Sequence, residues 1–419
     1  MKGASSVWCE EMKQQALDGV RKKEVKIPKI LVLTTSYPSD DQDPSGIFIA
    51  NLLRAIQERG YAIKVVAPSN GGFYGRRCLD GIETVRFGYF RPRSLEKLTR
   101  GSGGIPENMN ASFLARLQLF PMMVVFLCVA LREVRDTDVI YANWLGAGII
   151  GGFVNLLARR PLVVSFRGDD GYLARDRFLW RVLTKWVTRR ATVVAPVSGE
   201  LTEILLGLGL PREKCHLPQF GVDTEMFHPT PDNRPSEDEV RLLFVGSLIP
   251  RKGLHDLLEA LGEPLPIQVR LIVVGDGALA NRLMDLCESL GLKERTEWMG
   301  SVPPVEVARL MRTADLLCLP SYMEGRPNVV NEAMASALPV IATRIGGIPD
   351  MVEEGRTAFL HDPGNVEELR DHIRTLVSDA ELRHRMGKAG YDFLTKSGVS
   401  WDSTAEEFDL LFSRVMKEG

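Results

Sequence analysis

The chain has 419 residues, 45% of them apolar and 25% charged, with a formal net charge of −2 at pH 7. This composition excludes a disordered, collagen-like or coiled-coil polypeptide, and the length predicts roughly two or three domains, each with its own core. A charge so near zero gives no reason to expect nucleic acid as a partner, although a sum can conceal two opposite halves.

Residues 1–27 are polar and mixed in charge, and read as an N-terminal extension, either an appended helix or a loose tail. From residue 29 short apolar runs alternate with helical patterns: KILVLT (29–34) as a strand, IFIANLLRAIQERG (47–60) as an amphipathic helix and AIKVVAP (62–68) as a strand. The most apolar stretch, 119–131, contains Pro121 and is too short to span a bilayer, so a buried helix is expected there. DVIYA (138–142), PLVVSF (161–166) and TVVAPV (192–197) continue the strands. Strands this uniformly apolar belong to a parallel sheet covered on both faces.

The rhythm stops at 218–239, rich in proline and acidic residues and read as a linker, and then restarts. RLLFVG (241–246), QVRLIVVGDG (268–277), DLLCLPS (315–321) and LPVIAT (338–343) form a second series of strands separated by helices. The last segment places Trp401, Ala405, Phe408, Leu411, Phe412 and Val415 at helical spacing, and is expected to cross back onto the first unit. The expected fold is therefore α/β, with two Rossmann-like doubly wound domains facing across a cleft. Their boundaries are 28–225, joined by 400–419, and 226–399, with ligands at the carboxyl ends of the strands. The six cysteines (Cys9, Cys78, Cys128, Cys215, Cys287 and Cys318) are scattered without a metal or disulfide spacing. With no secretory pattern at the start, reduced thiols in a cytoplasmic chain are expected.

The strongest local signal is SYMEGRPNVVNEAMA (321–335). A strand ends at Pro320, a turn carries Glu324 and Gly325, and a helix starts near Pro327 and Asn328, one turn before Glu332. Unpaired N–H groups at Asn328 and Val329 suit a diphosphate, and a carboxylate just inside such a helix suits a ribose diol. VGSLIPRKG (245–253) leads from a strand into a turn bearing Arg251 and Lys252, cations suited to phosphate oxygens. GGIPD (346–350) is another glycine turn after a strand, and Gly46, in YPSDDQDPSGIF (37–48), permits close backbone approach to a ligand.

Together these motifs resemble the retaining nucleotide-sugar glycosyltransferases of the GT-B fold, glycosyltransferase family four (glycosyl transferases group 1). The resemblance runs from about residue 29 to 415 and is most specific over 241–362. It implies that Glu332 holds the nucleotide ribose, Glu324 the donor sugar's hydroxyls, and Lys252 the diphosphate, with amides of Asn328 and Val329 on the same phosphates. Gly46, Gly246 and Gly325 would line the donor, and Gly300 and Val302 the base pocket. No cofactor or metal is implied, because the cations and helix dipole supply the charge stabilisation; the donor is a substrate. The implied acceptor is a saccharide or a lipid-linked molecule, and the setting cell-surface polysaccharide or glycolipid synthesis.

Two departures stand out. Ser247 occupies the place where the family usually has arginine, and Arg251 is the residue available to replace that charge. All six histidines lie at or after His216, so Asn143 and Arg167 occupy first-domain positions where relatives carry histidine. Either the leaving phosphate takes the acceptor's proton, or Asp169 or Asp170 contributes. Other GT-B chemistry (an epimerase or a sugar-phosphate-forming transferase) and a non-catalytic sugar-nucleotide-binding subunit are the alternatives.

The charge is unevenly spread. Residues 1–225 hold 31 Lys+Arg and 23 Asp+Glu, a net of +8, leaving 21 and 31, a net of −10, in the remainder. The segment 175–190 mixes six cations and one acid with apolar residues. It reads either as a core helix with a solvated basic face or as a face for an anionic membrane, which would place a cytoplasmic protein at the inner face of the cytoplasmic membrane. No base-reading pattern supports a nucleic-acid partner.

Overall fold

Apolar runs become two parallel sheets, and the amphipathic stretches between them become the helices that cover both faces. A computed structural model describes residues 27–40, 43, 45–101, 104–230 and 239–418, without the side chains of Asp169, Asp170 and Glu418. The expected extension at 1–26, and 231–238 of the linker, lie outside the described residues.

The first unit runs β1 (Lys29–Leu33), α1 (Ile47–Glu58), β2 (Ala62–Pro68), β3 (Gly75–Leu79), β4 (Ile82–Phe87), α2 (Gly104–Ala111), α3 (Phe113–Glu133), β5 (Val139–Asn143), α4 (Trp144–Ala158), β6 (Leu162–Phe166), α5 (Asp169–Asp176), α6 (Phe178–Arg190), β7 (Val193–Pro196) and α7 (Gly199–Gly207). The second runs β8 (Glu239–Val245), α8 (Leu254–Gly262), β9 (Gln268–Val274), α9 (Ala280–Ser289), β10 (Thr296–Gly300), α10 (Pro304–Thr313), β11 (Leu316–Leu319), α11 (Asn328–Ala335), β12 (Val340–Thr343), β13 (Ala358–His361), α12 (Val366–Ser378) and α13 (Ala380–Lys396). The chain ends in α14 (Trp401–Glu418).

The strand orders are β3-β4-β2-β1-β5-β6-β7 and β10-β9-β8-β11-β12-β13. All pairings are parallel except β3 with β4, a hairpin whose turn residues Asp80 and Gly81 both have positive φ, 49° and 79°. In each sheet the order reverses beside one central strand: β1 lies between β2 and β5, and β8 between β9 and β11. Crevices open at such reversals, so the loops after β1, β5, β8 and β11 are where a ligand finds room. Those loops carry Gly46, Lys252 and Glu324, and Asn143 is the last residue of β5 itself.

One apolar core serves the first unit. The second sheet is covered twice: Leu243 faces the layer containing Val330 and Met334, while Leu242 and Phe244 face Leu257 and Ile373. α14 packs in the first core, where Phe408, Phe412 and Val415 are wholly buried. The chain thus passes between units twice, and the passages touch: a side chain at Gly221 would lie 2.1 Å from the Ser400 carbonyl carbon, and Thr404 Oγ1 donates to the Gln219 carbonyl at 2.8 Å.

α3 corrects one expectation. It is longer than the apolar run suggested, and only its inner side is buried, through Ala115, Gln118, Met122, Phe126 and Ala130. Phe113 and Phe120 are 74% and 78% exposed. A helix apolar on all sides gives no periodicity from which to read the side that meets water.

Phe412 has the rings of Tyr61 and Tyr141 at 5.9 and 5.7 Å. Phe412→Ala should cost about 3–5 kcal/mol through the lost burial and residual cavity. Thermal unfolding followed by tryptophan fluorescence checks this, and an unchanged midpoint would mean that α14 does not hold the first unit together.

Candidate active site

β8 and β11 are hydrogen-bonded neighbours, so the turns that follow them emerge side by side. After β8 the chain passes Gly246 and Ser247 into a single 3-10 turn, Pro250–Lys252. Lys252 Nζ donates to Glu324 Oε1 at 2.6 Å, and Ser321 Oγ donates to the same oxygen at 2.7 Å. Glu324 is 6% exposed. Two glycines permit this approach. Gly253 has φ 66°, and a Cβ there would lie 1.9 Å from the Pro320 carbonyl oxygen; on Gly346, φ 59°, it would lie 1.9 Å from that of Glu324. Tyr322 N donates to the Arg251 carbonyl at 2.7 Å, and Thr343 Oγ1 to that of Ser321 at 2.7 Å, fixing both turns.

α11 begins at Asn328 behind Pro327, with no side chain capping its N-terminus. The first helical N–H with a backbone partner is that of Val330, on the Pro327 carbonyl at 3.2 Å. The amides of Asn328 and Val329 therefore sit at the positive end of the helix. One turn on, Glu332 is half-buried, and burial pushes its carboxyl up to about 7. Asn328 and Glu332 line a cleft of about 710 Å³ between the units, whose opposite wall includes Ile47, Asn51 and Arg54 of α1.

The loop feeding α1 is organised by Asp43, whose carboxylate accepts from Ser39 N and Oγ at 2.8 Å, Ser45 N at 2.9 Å and Asn70 Nδ2 at 2.6 Å. Burial opposes that charge, but hydrogen bonds from Ser45 and Ser39 outweigh it and hold the pKa down. Gly46 follows with φ 70°, its Cα over the Ser36 carbonyl, where a Cβ would stand 2.6 Å from the oxygen. On the second unit, Gly300 ends β10 with φ 64° and Val302 packs against the core.

The first-unit positions form a second cluster. Arg167 Nε donates to Asn143 Oδ1 at 2.8 Å, and its Nη2 to the Tyr141 hydroxyl at 3.3 Å. Its guanidinium lies over the rings of Phe48 and Phe220, at 4.7 and 4.6 Å. Burial lowers its pKa. Asn143 is fully buried, with Nδ2 unpaired. Asp169 and Asp170 open α5, and their side chains lie outside the described residues. Gly168, just before them, abuts Gly325: a Cβ there would sit 3.2 Å from the Gly325 Cα.

Arg251 does not stand alone beside Ser247; its Nε donates to Glu107 Oε1 of α2 at 3.0 Å, across the cleft. Other contacts of this kind escaped the sequence reading. Tyr172 donates to the Glu324 carbonyl at 3.3 Å, Glu200 accepts from Gly346 N at 3.0 Å, and Asp350 accepts from Gly199 N at 2.7 Å. No local pattern marks Tyr172 or Glu200, whereas Asp350 closes the GGIPD turn.

Two family models match the chain, one described as glycosyl transferases group 1 over residues 230–393 and one as a glycosyl transferase 4-like domain over 45–221. The sulfoquinovosyl transferase SQD2 of Arabidopsis thaliana is 31% identical over 60% of this chain and 52% of its own, so the chain spans about half the length of that relative. The D-inositol 3-phosphate glycosyltransferase of Corynebacterium glutamicum is 28% identical over 67% of this chain and 73% of its own. The crystal structure of Anabaena Alr3699/HepE in complex with UDP and glucose shares the fold, with a TM-score of 0.74 at 23% identity, covering 92% of this chain and 100% of that one.

The carboxyl of Glu332 titrates near 7 in the folded chain against an ordinary value of 4.5. Between those values the folded form binds the extra proton, so stability falls as pH rises through the window, and the penalty is complete above about 7. Glu332→Gln should therefore raise the ligand-free melting temperature above pH 7, with the gain shrinking toward pH 4.5. A gain independent of pH would show that the carboxyl is not desolvated.

Proposed function

Because the chain belongs to the group 1 glycosyltransferases of GT-B fold, we propose that it moves a sugar from a nucleotide diphosphate to an acceptor hydroxyl with retention at the anomeric carbon. The acceptor is a saccharide or a lipid-linked molecule, and the setting is cell-surface polysaccharide or glycolipid synthesis. The observation that carries this reading is the pairing of Lys252 with Glu324 beside the uncapped start of α11, with Glu332 one turn further on.

In this reading the diphosphate lies against Lys252 and the amides of Asn328 and Val329, the ribose against Glu332, and the sugar hydroxyls against Glu324. The bond from the anomeric carbon to the diphosphate oxygen breaks while the acceptor oxygen bonds to that carbon from the same side. The acceptor's proton passes to the departing phosphate oxygen, and the nucleoside diphosphate leaves. Charge develops on that phosphate, where the cation and helix N-terminus are already oriented, so no metal is needed. Arg167 and Asn143 belong to the first unit, which this reading gives to the acceptor, and neither can take the proton near neutral pH. The Anabaena Alr3699/HepE structure is a complex with UDP and glucose, which supports a nucleotide sugar as donor here. The absence of histidine before His216 favours one second reading, a subunit that binds sugar nucleotide without turnover.

Nucleotide release from UDP-, GDP- and ADP-sugars, measured with and without acceptors, separates the two readings. Acceptor-dependent release supports transfer, and donor binding without release supports the subunit. Lys252→Ala and Glu324→Gln should each lower kcat by roughly 10²–10³-fold. The α-linked product of an α-linked donor, read by NMR, would establish retention, and a β-linked product would overturn it. Arg251→Ala should weaken donor binding; full affinity would remove Arg251 from the phosphate site.

A further inference from the structure

Among the described residues, the helices on one side of the first sheet have no partner on their outer face. α4 packs between α3 and α6, and Phe153 meets Trp186 with ring centroids 4.8 Å apart, so the three outer sides form one surface. On α3, Phe113, Leu117 and Phe120 are 74%, 56% and 78% exposed; Leu157 of α4 is 65% exposed and Phe178 of α6 80%. Scattered single apolar residues need no partner, but a contiguous field of this kind marks an interaction surface.

The charges on it have one sign. α3 and α6 carry Arg116, Arg132, Arg181, Lys185, Arg189 and Arg190, and α4 carries no charge. The one carboxylate of the three helices, Glu133, is buried and accepts from Lys64 and Arg76. On α6, Lys185 and Arg189 extend the line of Phe178 and Val182 at helical spacing. A second copy docked here would set cation against cation, whereas an anionic lipid surface takes the apolar side chains into its acyl boundary and the cations among its headgroups.

We propose that α3, α4 and α6 form a docking face for an anionic lipid bilayer. This goes beyond the sequence reading, which placed the contact on 175–190 alone; the larger apolar share comes from α3. That helix is long and apolar enough to cross a membrane, but its inner side is tied to the domain. Gln118 Oε1 accepts from Lys97 N and Leu98 N at 2.9 and 3.2 Å, and its Nε2 donates to the Leu95 carbonyl at 2.6 Å. The helix therefore lies along the interface.

Flotation of the full chain with phosphatidylcholine vesicles, with and without phosphatidylglycerol, tests the proposal. Binding should require phosphatidylglycerol and weaken with salt. Lys185→Glu with Arg189→Glu should reduce it by at least about tenfold. Phe120→Glu with Leu157→Glu should abolish it, while stabilisation by a nucleotide sugar stays at the wild-type level. That second readout separates failure of the docking face from failure of the donor reading. No binding to either vesicle, or undiminished binding by the Phe120/Leu157 variant, would overturn the proposal. So would a lipid-free dimer that this variant converts to monomer.

Discussion

The contact between Lys252 and Glu324 is the constraint on which the rest of the cleft depends. An ion pair this enclosed gains little net stability, because desolvating both charges offsets most of their attraction. Removing one partner is another matter, since it leaves a buried charge uncompensated, at a cost of about 3–5 kcal/mol. The pair exists because two neighbouring strands deliver two turns to one place, and because Gly253 and Gly346 let backbone pack on backbone there. Ser321 adds a second hydrogen bond to the same carboxylate oxygen, leaving the other free to meet a ligand.

The same loops carry the contacts that close the cleft. Tyr172 and Glu200 of the first unit bond to the backbone of Glu324 and Gly346, and Gly168 and Gly325 touch almost backbone to backbone. Any motion of one unit against the other therefore acts directly on the carboxylate at the centre. The two chain passages, side by side at Gly221 and Ser400, are where such a motion would bend. If the proposed transfer involves closure of the two units, that closure would assemble the site and exclude water in the same movement.

Much of this was legible from residue order. Buried parallel strands are apolar throughout, so β1, β2, β8 and β9 stand out without any alternation to interpret. Pro327 followed by Glu332 marks a helix start with a carboxylate one turn in, a purely local pattern. The edge hairpin is hard to read from sequence because β3, Gly75–Leu79, is exposed and carries Arg76 and Arg77 in place of an apolar run, although Asp80-Gly81 is a strong turn signal. The cross-cleft partners were illegible for a different reason: Tyr172 and Glu200 lie 152 and 146 residues from their acceptor and donor, and neither has a local pattern. The exposed side of α3 was hidden by its own uniformity. The charge division, in contrast, was plain from counting, and it acquired a location only when the basic helices were seen to share one face.

The central claim is that Lys252 and Glu324 act together on a bound nucleotide sugar. A double-mutant cycle measures this most directly, with the affinities of wild type, Lys252→Ala, Glu324→Gln and the double variant for UDP-, GDP- and ADP-glucose taken by titration calorimetry. For the donor that binds, the two losses should fall short of additivity, with a coupling of about 1–3 kcal/mol. Additive losses, or no change in any variant, would contradict the account and place the donor elsewhere in the cleft.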